Sequence, residues 1–278
     1  MSYGETEAVR GIDLEVRTGE IFAFLGPNGA GKTTTVEILE GYRHRTGGEV
    51  KVLGEDPAGA GRAWRDRIGI VLQSNSLDPY LTVRESLELY AGYFSHPRSV
   101  EETIALVGLE EKADDRARRL SGGQQRRLDV GMALVGDPEL LFLDEPTTGF
   151  DPSARRQAWD VIAGLRDLGK TIFLTTHYMD EAQRLADTVT IIAAGQIVAQ
   201  GTPEDLGERE KAAATIRYRD AMGEEITIET VDPVRELNRL TTAALERGEE
   251  LDGLEVTRPS LEDVYLDLTS TTEGASAE

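Results

Sequence analysis

Short apolar or β-branched runs recur along the chain, separated by stretches whose apolar positions return every three or four residues. The runs Ile12 to Val16, Ile21 to Leu25, Val50 to Leu53, Ile68 to Leu72, Leu140 to Leu143, Thr171 to Thr175 and Thr188 to Ile192 predict strands, and the stretches between them predict helices. Strands alternating with helices predict an α/β fold with a mainly parallel sheet. From Gln73 to Asp137 the strand pattern stops. There Thr82-x-x-Glu85 and Ser99-x-x-Glu102 have capping-box spacing, in which hydroxyl and carboxylate satisfy free N–H groups of a first helical turn. Residues of about 74–137 are therefore expected to form a helical insertion.

A second change of pattern comes at Gly201-Thr202-Pro203-Glu204-Asp205, where Thr202 can cap a short helix that starts at Pro203 and ends at Gly207. Beyond it come strands at Ala214 to Arg219 and Glu225 to Glu229, a helix from about Pro233 to Arg247, a strand near Leu254 to Thr257 and a helix from about Leu261 to Leu268. The expected division is a domain of residues 1–202 followed by a small α+β attachment of residues 203–278. Thr269 to Glu278 are small and polar, with the composition of a frayed end.

Charge and composition narrow the function. Against 51 Asp+Glu the 278-residue chain sets 30 Lys+Arg, a net of −21, and the attachment holds over half of the excess, with 20 acidic against 8 basic residues. Such a surface repels a nucleic-acid backbone, so a phosphate site has to be local, built from backbone N–H groups and one or two placed cations. There is no cysteine, which excludes disulfides, thiolate metal sites and thiol catalysis. The strongest apolar stretches, Ile21 to Leu25, Leu140 to Leu143 and Val189 to Ala194, fall far short of the roughly 18 to 20 residues that cross a bilayer. Met1 to Arg10 carries Glu5 and Glu7 and no apolar core of a secretory signal, so a cytoplasmic location is expected.

Gly26-Pro27-Asn28-Gly29-Ala30-Gly31-Lys32-Thr33 fits G-x-x-x-x-G-K-[ST], and it lies where that pattern has meaning, after a strand and at the opening of a helical run. Glycines let such a loop turn its N–H groups inward and let phosphate oxygens approach the main chain. Lys32 supplies a point charge to the β- and γ-phosphates, Thr33 a hydroxyl to Mg²⁺, and the helix start, with Thr34, its partial positive charge. The alternative is a glycine-rich turn with an exposed lysine. Downstream, the apolar strand Leu140 to Leu143 runs into Asp144 and Glu145, and Pro146 stops further pairing. Ligands of an open α/β sheet sit at the carboxyl ends of its strands. Asp144 would there hold Mg²⁺ through water, and Glu145 would orient or deprotonate the water that attacks a γ-phosphate.

Leu120-Ser121-Gly122-Gly123-Gln124-Gln125, shortly upstream of the Asp144 strand, resembles the signature of the ATP-binding cassette (ABC) family, and the resemblance covers roughly Tyr3 to Gly201. Ser121 and Gln124 also have capping-box spacing, so a helix from Gly122 would present a second anion-binding end. The resemblance implies a head-to-tail dimer with two ATP molecules between subunits, each signature closing the other subunit's nucleotide. It further implies that Gln73 touches Mg²⁺ and the attacking water, that His177 hydrogen-bonds the γ-phosphate, that Asp151 communicates between the two sites, and that Tyr3 stacks on adenine. Phe150 replaces the leucine usual beside that aspartate. The family places a strand ahead of the aromatic, whereas this chain begins almost at Tyr3, so a missing first strand or a truncated start is expected.

Pro259-Ser260-Leu261-Glu262-Asp263-Val264-Tyr265 is similar to the ending of drug-exporter (daunorubicin-resistance-like) ATPase subunits; the alternative is an amphipathic helix that only seals the attachment. These resemblances imply an ATP-binding, ATP-hydrolysing subunit that powers export through a separate integral-membrane permease, lying against the inner face of the cell membrane through it. A soluble cassette ATPase of cofactor assembly is the second reading. A GTPase would need an Asn-Lys-x-Asp, which the sequence lacks.

Overall fold

The computed structural model describes residues 1–4, 6–73, 77–206, 213–220, 222–248, 250–258, 260–266 and 269. In chain order the elements are β1 (Ser2–Tyr3), β2 (Thr6–Glu7), β3 (Ile21–Leu25), α1 (Lys32–Leu39), α2 (Arg62–Arg65), β4 (Ile68–Val71), α3 (Val83–Ala91), α4 (Val100–Leu106), α5 (Gly122–Leu134), β5 (Leu140–Asp144), α6 (Pro152–Asp167), β6 (Thr171–Thr176), α7 (Met179–Leu185), β7 (Thr188–Ala193), β8 (Gln196–Gly201), β9 (Ala214–Arg219), β10 (Glu225–Thr230), α8 (Pro233–Arg247) and β11 (Asp252–Thr257). Six strands form one sheet in the order β4-β5-β6-β3-β7-β8, parallel except for β8.

The parallel strands are largely apolar because both faces of the sheet are covered, with most of their threonines buried among them, while the edge strand β8 carries exposed Gln196 and Gln200. Along β5, Leu141 and Leu143 enter a core shared with α3 to α6, while Leu140 and Phe142 enter a second core with α1 and Trp64. In that second core Phe22, Phe24 and Phe142 surround Phe173 at centroid distances of 5.2, 5.6 and 5.6 Å. Parallel register aligns the carboxyl ends: Leu25 lies opposite Thr176, and Asp144 opposite Thr175. The loops leaving these strands therefore share one edge of the sheet.

The helical insertion forms as its caps predict. Thr82 with Glu85 and Ser121 with Gln124 make reciprocal capping boxes, and Ser99 supplies the hydroxyl half of its own. Two predicted strands do not form. Ile12, Leu14, Val16, Val50 and Leu53 do turn inward against the second core, but residues 11–17 pair with no strand, and Val52 makes only an isolated bridge to Glu55. The apolar alternation sets which face is buried; ladder hydrogen bonds need a neighbour at the edge as well. Strand β8, which the apolar pattern does not announce, folds back on β7 through Ala194 and Gly195, whose φ values of 47° and 80° suit a tight hairpin.

In the acidic attachment β9, flanked by β10 and β11, forms an antiparallel sheet. Asp232 caps α8, accepting from the Arg235 amide, and Gly248 ends it in the left-handed conformation. The Thr202 hydroxyl accepts from the Asp205 amide as anticipated, while Gly207 and Pro259 lie outside the described residues, as do all of residues 270–278. Residues 261–266 are helical, and Leu261, with Leu206, is buried against Ala23, Leu25, Ala182, Val189 and Ile191. That helix thus packs on the main sheet, rather than sealing only the attachment.

Candidate functional site

The loop after β3 is shaped by close backbone approaches. A Cβ on Gly26 would sit 2.3 Å from the Ile192 carbonyl oxygen, and one on Gly31, at φ 104°, would sit 2.4 Å from the Ala8 carbonyl oxygen. Only glycine fits at either position. Gly195 at the β7–β8 turn donates to the Ala30 carbonyl at 3.0 Å and accepts from the Arg10 amide at 2.8 Å, so the loop is braced from outside. Asn28 and Gly29 are exposed at its crest, Ala30 is buried, and Lys32 opens α1.

Lys32 is buried and its Nζ donates to the Gly26 and Pro27 carbonyls at 2.5 and 3.2 Å, which holds the ammonium over its own loop. Burial lowers its pKa, opposed by the nearby charges of Glu145 and Asp144. Thr33 is exposed on the first turn. The Thr34 hydroxyl lies 3.3 Å from the Tyr3 hydroxyl, and the Arg43 guanidinium covers one face of the Tyr3 ring at 5.1 Å. Tyr3 belongs to the short β1–β2 hairpin, so it is tied to the start of α1 rather than loose.

Across the same edge stand the acids. Asp144 Oδ1 accepts from the Thr175 hydroxyl at 2.5 Å, and that hydroxyl oxygen in turn accepts from the Glu145 amide at 3.1 Å. Thr175 thus positions both acids, a role the sequence reading missed; the hydroxyl pair ending β6 was its only signal. Glu145 takes φ 45°, a strained conformation for a side chain with a Cβ, which swings its carboxylate out of line with β5. Its Oε2 accepts from the Gln73 amide at 3.0 Å and the Thr148 hydroxyl at 3.2 Å, and its Oε1 lies 3.1 Å from His177 Nδ1. Gln73, Glu145 and His177, far apart in the chain, form one cluster.

The segment Ser121 to Gln124 stands elsewhere. Its first turn lies beside the start of α6, where a Cβ on Gly123 would be 3.1 Å from the Ala154 methyl, whereas Gly122 has open space around it. Asp151 caps α6, its Oδ1 accepting from the Ser153 and Ala154 amides at 2.8 and 2.9 Å. Among the described residues no hydrogen bond or ion pair joins residues 121–124 to residues 26–34.

A family model described as ABC transporter matches residues 9–148, half of the chain. The Nod factor export ATP-binding protein I of Burkholderia orbicola is 39% identical over 96% of this chain and 93% of its own. The chain belongs to the ABC transporter family. The protein of the same name from Burkholderia pseudomallei is 45% identical over 75% of this chain and 70% of its own. Among solved structures, the ATP-binding cassette MJ0796, a dimer in a post-hydrolysis state bound to ADP and Pi, superposes with a TM-score of 0.64 at 26% identity over 73% of this chain and 94% of its own. For cbiO1 of Clostridium perfringens, part of an ABC transporter complex, the TM-score is 0.66 at 29% identity over 71% and 83%.

The protein is thus an ATP-binding subunit of an ABC transporter, an ATPase whose hydrolysis is coupled to transport. Subunits of this family dimerise and pair with a permease. No helix among the described residues is long and apolar enough to cross a membrane. For Mg²⁺ the donor set is suitable: the Thr33 hydroxyl, the Asp144 oxygen not engaged by Thr175, and the Gln73 amide oxygen, left over because its nitrogen donates to Glu145, are hard oxygen donors. A single carboxylate is in keeping with nucleotide-linked Mg²⁺, which relies on phosphate oxygens and water for its other ligands. No group of three or more His, Cys, Asp and Glu that would suit another metal occurs among the described residues.

Proposed function

We propose that this chain is the motor of an exporter in which two copies, or this chain and a similar subunit, sandwich two ATP molecules head to tail beneath an integral-membrane permease. The chain would lie on the inner face of the cell membrane through that permease. The single observation that carries the reading is the Gln73–Glu145–His177 cluster, built on the edge that also bears the glycine-rich cradle.

In this account the amides of Asn28 to Thr34 and the Lys32 ammonium hold the β- and γ-phosphates, and Tyr3 lines the adenine side. Thr33, Asp144 and Gln73 would hold Mg²⁺, which supplies charge neutralisation at the phosphates. Glu145 takes the proton of the attacking water, kept in place by Gln73 and Thr148 on one carboxylate oxygen and His177 on the other. With Nδ1 facing Glu145, Nε2 is the His177 atom left to face the γ-phosphate. The capped turn Ser121 to Gln124 completes the partner's site, and Asp151, at the neighbouring cap, carries the state of one site to the other. ATP bridges the two copies through its γ-phosphate and ADP does not, so nucleotide biases a two-state interface and hydrolysis reopens it.

Two observations support an outward direction. The relatives are export proteins by name, and the sequence Pro259 to Tyr265 carries the similarity to drug-exporter subunits. The relatives' name does not share the drug-resistance part of that resemblance. The cargo we propose is correspondingly broader, a hydrophobic compound, lipid or polysaccharide. We also propose residues 1–202 as the nucleotide-binding domain, with its helical part at 74–137 facing the permease, and residues 203–278 as an accessory domain.

Glu145→Gln tests the reading. The variant keeps the size and shape of the side chain and leaves the cradle untouched, but it turns one accepting oxygen into an NH2 donor and loses the base. It should bind ATP with unchanged affinity, lose about 100- to 10,000-fold in kcat, and accumulate an ATP-bound dimer; undiminished hydrolysis would refute the assignment.

A further inference from the structure

We propose that Arg126, on the second turn of the signature helix α5, is a positioning residue that holds Gln73 and Glu145 in place and links them mechanically to Ser121–Gln124. Arg126 is 5% exposed, and its guanidinium spends its donors on three backbone carbonyls from two separate segments. Nη1 donates to Leu72, Nη2 to Asp144 at 2.7 Å and Nε to Pro146 at 3.2 Å. Leu72 directly precedes Gln73, while Asp144 and Pro146 bracket Glu145.

The bracketing matters because Glu145 is the residue at φ 45°. A conformation of that kind persists only where surrounding bonds over-determine it. The Glu145 amide is taken by Thr175, and the carbonyls on both sides of it by one planar group. The three bonds leave from three different nitrogens of one planar fork, whereas a lysine ammonium has to serve every carbonyl from a single nitrogen. The acid one helical turn on, Asp129, lies 3.9 Å from Nη1, and its Oδ2 makes no hydrogen bond. The guanidinium is therefore not there chiefly to neutralise a carboxylate.

Arg126 stands five residues after Ser121, about 7.5 Å along the helix axis. Where the first turn of α5 closes on a partner's nucleotide, a reading this inference rests on, any shift of the helix is delivered through Arg126 to the glutamine and glutamate of its own subunit's site. Occupancy of one site then tunes the base geometry of the other.

The test uses the full chain with Arg126→Lys and Arg126→Gln, measuring affinity for a fluorescent ATP analogue, kcat and KM per titrated nucleotide-binding site, and the Hill coefficient for ATP. We expect affinity within about twofold of the parent, kcat at least about tenfold lower as the base is misplaced, and a Hill coefficient falling toward 1. Arg126→Lys combined with Glu145→Gln should still give an ATP-bound dimer. Unchanged kcat per site, or activity lost only in proportion to lost binding sites, would overturn the proposal, and so would a lysine variant with no binding sites, which would mark a folding role. An unaltered parent that is uncooperative and monomeric would instead overturn the dimer reading itself.

Discussion

Gly122 and Gly31 are glycines for different reasons, and the difference gives a sharp prediction. At Gly31 the monomer itself demands glycine: φ is 104° and an added Cβ would meet the Ala8 carbonyl at 2.4 Å. At Gly122, the first residue of α5, φ is not positive and nothing lies within 4 Å of an added Cβ. Alanine there should stabilise the isolated subunit by about 0.5 kcal/mol, because it loses less chain entropy on folding. If the turn receives a partner's phosphate, the same methyl occupies space that the partner needs. Gly122→Ala should therefore gain slightly in urea denaturation while losing at least about tenfold in ATPase rate, since clashes and lost N–H contacts at such an interface cost more than about 1.4 kcal/mol. Denaturation curves and phosphate release on the same preparation check both halves. A variant that is more stable and fully active would refute the claim that this open space is reserved for a second subunit.

Gly31→Ala should show the opposite pattern, with the cradle distorted in the monomer and nucleotide affinity lost before any question of dimerisation arises; calorimetric titration with ATP reads it, and parental affinity would contradict the packing argument. Asp129 provides a pH prediction. Burial pushes its carboxyl up to about 6, with Arg126 opposing. The folded state then binds the proton more tightly than the unfolded state, so this group's contribution to stability falls as pH rises from about 4 to about 6 and stays low above. The cost at neutral pH is about 3 kcal/mol at most. Asp129→Asn should be more stable than the parent above about pH 6 by up to that amount and should converge with it below about pH 4; parallel stability curves would refute this.

Much of the architecture is legible in the sequence because each layer has its own signal. Apolar runs mark the buried parallel strands, hydroxyl-to-acid spacings mark the helix starts, and the cradle is marked by glycines whose necessity the close approaches of Ile192 and Ala8 explain. The failures share a cause. Ile12 to Val16 carries a strand's alternation without an edge to pair with, and β8 pairs well although its outward positions are polar. Thr175 and Arg126 act through backbone groups brought together only by sheet register and helix packing, so residue type alone does not reveal them. The positive φ of Glu145 has no signature in its own side chain; it is imposed by its surroundings.

The most direct test of a site shared between subunits is to mix two chains that are each unable to trap nucleotide, both carrying Glu145→Gln. One adds Lys32→Ala, which breaks its cradle, and the other adds Ser121→Arg, which blocks its signature. In a head-to-tail pair the intact cradle of the second meets the intact signature of the first. The account predicts that the mixture traps one ATP per heterodimer while neither chain alone traps any. Trapping by the Ser121→Arg chain alone, or none in the mixture, would contradict it.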